Sequence, residues 1–156
     1  MAITKYLFLD IDGVLNHKDW YKNINKYDYK RREFDPECVN RVIKILEKTN
    51  AKLVIISSWR LDVNLKNIFR EVGLPEDFDI TPYFHNKTRG YEIVEYLRDL
   101  TDYKYCIIDD CDDFSKCQQK YYVPTADDGE IYINNKGSGL TDIVMDKVMK
   151  ILEENH

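Results

Sequence analysis

The run Lys5-Tyr-Leu-Phe-Leu-Asp10-Ile-Asp12-Gly13-Val-Leu limits what this chain can become more than any other stretch. Its four consecutive large apolar residues, Tyr6 to Leu9, read as a strand covered on both faces. The strand ends in two aspartates one residue apart. Side chains alternate along a strand, so Asp10 and Asp12 are expected on the same side, about 6–7 Å from each other. Gly13 then lets the chain turn. Two carboxylates at the end of a buried strand repel each other and lose hydration. A divalent cation relieves both problems, and hard oxygen ligands suit Mg²⁺. The strand end therefore reads as a reaction site, against the plainer reading of a strand-to-turn boundary, where Asp and Gly are common. A calcium loop also begins Asp-x-Asp, but it needs a polar ligand, a glycine and a glutamate where Val14, Leu15 and Tyr21 stand.

Apolar strands alternate with amphipathic helices along the rest of the chain. Residues 36–48 read as a helix capped by Asp35, with Pro36 in its first turn and Val39, Val42, Ile43 and Leu46 on one face. Lys52 to Ser57 reads as a buried strand. A second helix spans 62–72 through Leu65, Ile68, Phe69 and Val72, and Gly73 stops it. A third spans 90–100 through Ile93, Val94 and Leu97. Tyr105 to Ile108 is a further buried strand that ends in Asp109-Asp110, and Ile131 to Ile133 is a short strand. Thr141 can cap a final helix bearing Val144, Val148, Ile151 and Leu152.

Strands without polar alternation suit a parallel sheet with helices on both faces, so the expected fold class is a three-layer, Rossmann-like α/β unit. Ligands of such sheets bind beyond the carboxyl ends of the strands. Three strands here end in chemistry-capable residues: Asp10 and Asp12, Ser57 and Ser58, and Asp109 and Asp110. Right-handed crossovers bring all three ends to one edge.

The length of 156 residues fits one domain, 1–156, with a sizeable core. No apolar run is long enough to span a membrane, and the N-terminus enters a strand without a signal-peptide pattern. The four cysteines form no Cys-x-x-Cys pair, and Cys38 and Cys106 sit among core-type residues. With no zinc-ligand spacing among His17, His85 and His156, structural zinc is not expected, and the cytoplasm is the expected compartment. A net charge of −5 argues against a chain that coats nucleic acid over its whole surface.

The order of these features resembles the haloacid dehalogenase-like (HAD) superfamily of phosphotransferases. Asp10-Ile-Asp12-Gly13-Val14 is similar to its first motif and Ser57 to its second. A basic residue before a helix, Arg89 in preference to Lys87, is similar to the third, and Asp109-Asp110 to the fourth. The combination of Ser57-Ser-Trp-Arg60, Arg89-Gly-Tyr-Glu-Ile93, Asp109-Asp110 and Gly139-Leu-Thr141 resembles more closely the small HAD domains of RNA-repair and phage-type proteins.

The resemblance implies a Mg²⁺-dependent phosphatase. Asp10 would attack phosphorus to form an aspartyl-phosphate. Asp12 would protonate the leaving oxygen and then activate water. Mg²⁺ would be held by the Asp10 carboxylate, the Asp12 backbone carbonyl and a carboxylate of Asp109 or Asp110. Ser57 would hydrogen-bond a phosphoryl oxygen, with adjacent Ser58 as its alternative. Arg89 or Lys87 would add positive charge. Gly13 and Arg60 join Ser58 and Lys87 as candidate substrate-binding residues. Arg60 can equally sit on the surface, and Trp59 can stack on a base or simply pack. Asp112 and Asp113 read as a solvated loop.

Relatives in the superfamily often carry a cap domain. Here the stretches from His17 to Phe34 and from Gly73 to Arg89 are both short, so no separate cap is expected and large substrates could reach the site. Segment 17–34 holds Lys18, Lys22, Lys26, Lys30, Arg31 and Arg32 against three acidic residues, a net +3 that leaves −8 for the remainder. Trp20, Tyr21, Tyr27, Tyr29 and Phe34 are interleaved with these bases. Cations track phosphates and rings stack on bases, so this basic, aromatic flap suits a nucleotide or nucleic-acid end. The alternatives are a solvated, partly structured flap without such a partner, and another phosphorylated partner. Two classes of function remain: a phosphomonoester hydrolase, and a catalytically weak adaptor for nucleic acid or protein. The intact Asp10/Asp12 pair favours the first.

Overall fold

The computed structural model describes residues 2–17, 20, 34–125 and 139–154. Most of the 17–34 segment and the expected strand Ile131 to Ile133 lie outside the described residues.

Among the described residues five strands run parallel in one sheet. They are β1 (Thr4–Leu9), β2 (Lys52–Ile55), β3 (Asp79–Ile80), β4 (Tyr103–Asp109) and β5 (Tyr122–Pro124), in the order β3-β2-β1-β4-β5. Among the described residues four helices cover it: α1 (Pro36–Thr49), α2 (Leu65–Val72), α3 (Arg89–Leu97) and α4 (Asp142–Glu153). Short 3₁₀ turns, Ser58–Leu61 and Lys116–Tyr121, precede α2 and β5. The α/β three-layer fold is as expected, and among the described residues no cap domain is present.

Strand pleating divides the core in two. Leu7, Leu9, Leu53, Ile55, Cys106 and Ile108 pack with Val39, Val42 and Ile45 of α1, Phe69 of α2, and Val148 and Leu152 of α4. On the opposite face Tyr6, Phe8, Val54, Ile56 and Ile107 pack with Ile93 and Leu97 of α3. Each fully buried large apolar side chain contributes about 1.5–3 kcal/mol, and Phe8, Leu7 and Leu9 are completely enclosed. That burial fixes β1 at the centre of the sheet and fixes with it the residue that follows, Asp10.

The caps follow the sequence. Asp35 accepts the Glu37 N–H at the start of α1, Thr141 accepts the Val144 N–H at the start of α4, and Gly73 ends α2 at φ +88°. Three details differ from expectation. The second helix starts at Leu65, because residues 62–64 form a turn in which Asp62 Oδ1 accepts the Asn64 N–H and the Asp62 carbonyl accepts the Leu65 N–H. Helix α3 stops at Leu97, and Val94 is 53% exposed, so its core stripe is Ile93 and Leu97, with Tyr96 packed against Tyr6 and Phe8. Strands β3 and β5 were not anticipated, being two and three residues long. Both lie at sheet edges, where β5 tolerates Pro124.

Candidate active site

The register of the sheet brings the chemistry together. Leu9 pairs with Ile55 of β2 and with Ile108 of β4. The next residues along the three strands are therefore Asp10, Ile56 and Asp109, with Ser57 one step beyond. The Asp10 N–H donates to the Ile108 carbonyl at 2.9 Å, which carries the strand geometry to the carboxylate itself.

Arg89 enters from the start of α3, which Thr88 caps by accepting the Tyr91 N–H. The Arg89 N–H donates to Asp113 Oδ2 at 2.8 Å, so the acidic loop after β4 anchors this helix end. Its Nη1 donates to Asp109 Oδ2 at 2.6 Å and lies 3.2 Å from Asp10 Oδ1. The second contact is an ion pair without hydrogen-bond alignment. Asp10 Oδ1 is consequently the one buried side-chain polar atom without a hydrogen-bond partner among the described residues.

Asp10 is 2% exposed and Asp109 fully buried. Burial, and next the charge of Asp109, push the Asp10 carboxyl up to about 9, against the opposing pull of Arg89. Burial also raises Asp109. For Arg89, burial disfavours the charged form, but Asp10 and Asp109 outweigh it and hold the guanidinium above its usual range.

Gly13 sits at φ +83°, and a Cβ there would fall 2.3 Å from Asp110 Oδ2. Only glycine lets the Asp110 carboxylate lie across this turn. The Gly13 carbonyl accepts from Thr125 Oγ1 at 2.8 Å, which ties the turn to the end of β5. Asp109 Oδ1 accepts the Cys111 N–H at 3.0 Å, and its backbone carbonyl accepts from Thr125 N and Tyr122 Oη. Asp110 also pushes the Asp10 carboxyl upward. The ligand atoms of Asp109, Asp110 and Cys111 lie within 4.8 Å of one another.

The carboxylates of Asp10, Asp109 and Asp110 thus come together at a buried Asp10 oxygen that has an ion pair but no hydrogen-bond partner. A hard divalent cation fits that donor set, since it would supply the missing partner of Asp10 Oδ1 and offset charge that one arginine only partly balances.

Asp12 differs from Asp10 in being exposed. Its Oδ1 accepts from Asn16 Nδ2 at 2.9 Å and from Trp59 Nε1 at 3.0 Å. Neither donor was anticipated from the sequence. Asn16 follows Asp12 by one helical-turn spacing, and Trp59 belongs to the Ser57-Ser-Trp-Arg60 motif. Those positions are the only sequence signal of either contact.

The remaining candidates separate clearly. Ser57 is buried, and its Oγ accepts the Trp59 N–H at 3.2 Å, which leaves its hydroxyl proton free to donate. Ser58 is exposed on the first position of the 3₁₀ turn. Lys87 is exposed with its ammonium 5.0 Å from the Tyr91 ring centre, whereas Arg89 reaches the carboxylates.

Arg60 is turned inward rather than onto the surface or a substrate. Its Nε donates to the Thr81 carbonyl at 3.1 Å, its Nη1 to the carbonyls of Ile56 and Ser57, and its Nη2 to Glu92 Oε1 at 3.0 Å. Glu92 Oε2 accepts the Phe84 N–H at 2.8 Å. Arg60 therefore clamps the end of β2 to α3, and every nitrogen of its guanidinium is engaged by the protein.

A second cluster lies at the base of the 17–34 segment. The imidazole of His17 is 2.6 Å from Asp35 Oδ2 and accepts the Trp20 N–H at Nδ1. With Nδ1 accepting, the proton sits on Nε2 and donates to Asp35. The Asp35 N–H donates to the Leu15 carbonyl at 2.7 Å. These bonds tie the two ends of the segment together.

Among the described residues, no helix is long and apolar enough to cross a membrane. The family model for the HAD domain in Swiss Army Knife RNA repair proteins matches residues 6–133. No curated protein and no solved structure matches the chain.

Proposed function

The chain belongs to the family of HAD domains of Swiss Army Knife RNA repair proteins, and on that footing we propose that it is a metal-dependent phosphomonoester hydrolase acting on nucleotides or polynucleotide ends. Membership supports a phosphatase-type or RNA-repair-related activity in general. The observation that carries the finer reading is the buried Asp10 with its unpartnered oxygen, set against Asp109 and Arg89. A strand end built only for stability would not retain such a group.

The proposed reaction has two steps. An Asp10 oxygen attacks phosphorus, and the bond from phosphorus to the ester oxygen breaks with its electron pair on that oxygen. The leaving oxygen takes a proton from Asp12. A water then attacks the aspartyl-phosphate and gives its proton to Asp12, which releases inorganic phosphate and restores the Asp10 carboxylate. Ser57 donates its hydroxyl proton to a phosphoryl oxygen, and Arg89 stabilises the charge that gathers on the phosphoryl group. The carboxylates of Asp10, Asp109 and Asp110 and the backbone carbonyl of Asp12 would hold the Mg²⁺. When bound, the ion neutralises phosphoryl oxygens and stabilises transition-state charge.

The choice of a nucleic-acid end rests on three supports. They are the family's description, the lack of a cap among the described residues, and the net +3, aromatic composition of 17–34. The test is hydrolysis of an aryl phosphate and of 3′- and 5′-phosphorylated oligonucleotides, with Mg²⁺ and with EDTA. Mg²⁺-dependent phosphate release supports the hydrolase. Tight oligonucleotide binding without release of phosphate would favour the adaptor reading instead.

A further inference from the structure

Asp12 is held in an unusual way for a residue that must trade a proton. It is exposed, yet its carboxyl is not free to rotate. Two N–H donors from different parts of the chain converge on the same oxygen, Oδ1: Asn16 Nδ2 at 2.9 Å and Trp59 Nε1 at 3.0 Å. Among the described residues, Oδ2 takes no hydrogen bond.

Both donors are themselves fixed. The Gly13 N–H donates to Asn16 Oδ1 at 2.9 Å. That bond sets the amide orientation, because the oxygen must face Gly13 and the nitrogen must then face Asp12. Asn16 is 2% exposed, and an isolated bridge joins its backbone to Asp12. The indole has a single donor and no acceptor, so its role in the contact is unambiguous. Its ring packs 5.5 Å from Phe34, and its backbone N–H is bonded to Ser57 Oγ. The turn that presents Ser57 thus also presents the donor to Asp12.

We propose that Asn16 and Trp59 are positioning residues for proton transfer: by occupying Asp12 Oδ1 they fix the carboxyl and reserve Oδ2 for exchange with the leaving oxygen and the attacking water. With two N–H groups on Oδ1, a proton on that oxygen would face two donors. Oδ2 is the oxygen that can carry it. The inference rests on the phosphatase reading and goes beyond it by assigning the geometry of the proton-transfer step to two further side chains.

The test uses the dependence on leaving group. Loss of the ester oxygen from p-nitrophenyl phosphate needs little help from an acid, whereas loss from an alkyl phosphate needs a proton. The ratio kcat/KM reports the steps up to formation of the aspartyl-phosphate and so isolates this demand. Trp59→Phe keeps the ring and removes the N–H. It should lower kcat/KM for an alkyl phosphate about tenfold, a part of the ~10²–10⁴ available from general acid catalysis, and change that for p-nitrophenyl phosphate less than about twofold. Asn16→Ala should act in the same sense. In an Asp12→Asn background, Trp59→Phe should cause no further loss, because its effect passes through Asp12. Equal losses on both esters, or a full additional loss in the Asp12→Asn background, would overturn the proposal. Trp59→Phe decides the matter if Asn16→Ala lowers the melting temperature. A wild-type protein that hydrolyses neither ester would instead defeat the phosphatase reading, and the inference with it.

Discussion

Arg89 Nη1 lies 2.6 Å from Asp109 Oδ2 and 3.2 Å from Asp10 Oδ1, so one guanidinium spans the ends of the two central strands. It is the cation that makes this pair of buried carboxylates tolerable. Its side chain keeps 28% exposure, as the proposed contact with a phosphoryl group requires. Arg89→Ala should lower kcat/KM by about 10²–10³-fold, the range seen when one transition-state donor is removed. Arg89→Lys should recover only part of this, because an ammonium lacks the planar fork. Steady-state kinetics over a Mg²⁺ titration checks both, and the Ala variant should also need more Mg²⁺ for half-maximal activity.

The raised carboxyl of Asp10 predicts an inverted pH dependence of stability without metal. A carboxyl whose folded value lies near 9 favours the protonated, folded form. That stability is complete below the ordinary carboxylate value and is lost as pH rises towards about 9. In EDTA the melting temperature should therefore fall between about pH 5 and about pH 8, and Asp10→Asn should flatten the fall. Mg²⁺ should raise the melting temperature at the upper end, with release of protons in weakly buffered solution. Calorimetry across that range reads all three.

The Arg60–Glu92 pair predicts a loss of stability rather than of substrate affinity. Their side chains are 2% and 4% exposed, and both ends are hydrogen-bonded. Removing one partner strands a buried charge, so Glu92→Gln or Arg60→Met should cost about 3–5 kcal/mol in denaturant unfolding. If Arg60 instead binds phosphate, Arg60→Lys would raise KM and leave the unfolding midpoint unchanged.

The basic segment predicts selectivity by substrate. Replacing Lys26, Lys30, Arg31 and Arg32 by Ser should raise KM for an oligonucleotide phosphate and flatten its salt dependence, through lost counterion release. Trp20→Ala should weaken base-containing substrates more than sugar phosphates, since stacking is worth about 1–3 kcal/mol per base. Equal losses on an aryl phosphate, a sugar phosphate and an oligonucleotide would assign the segment a structural role.

The elements legible in the sequence are those with long one-dimensional signals. Tyr6–Leu9, Leu53–Ile56 and Tyr105–Ile108 are apolar runs, and burial on both faces of a parallel sheet produces such runs. The carboxylates that end the first and third runs and the serine that ends the second follow from the same runs. Strands β3 and β5 are too short for any period, and each relies on one neighbouring strand for its pairing. Val94 fits a helical stripe on paper, but helix α3 meets the core through Ile93, Tyr96 and Leu97 and leaves Val94 outside. Contacts between polar side chains leave no periodic trace. Trp59 meets Asp12 across 47 residues and Arg60 meets Glu92 across 32, so a base-stacking tryptophan and a phosphate-binding arginine remained open from sequence alone. Arg89 and Lys87 are separated by reach, since both lie at the start of the same helix.

The most direct test of the account is whether a phosphoryl group is carried on Asp10. Asp12→Asn removes the group proposed to activate water, whereas a good leaving group should depart without it. With p-nitrophenyl phosphate and Mg²⁺, acid-quenched Asp12→Asn protein should therefore show one added phosphoryl group by mass spectrometry, on the peptide containing Asp10. Asp10→Asn should show none and should not turn over. A phosphorylated peptide elsewhere in the chain, or turnover by Asp10→Asn at the wild-type rate in phosphatase-free preparations, would contradict the assignment of Asp10 as nucleophile.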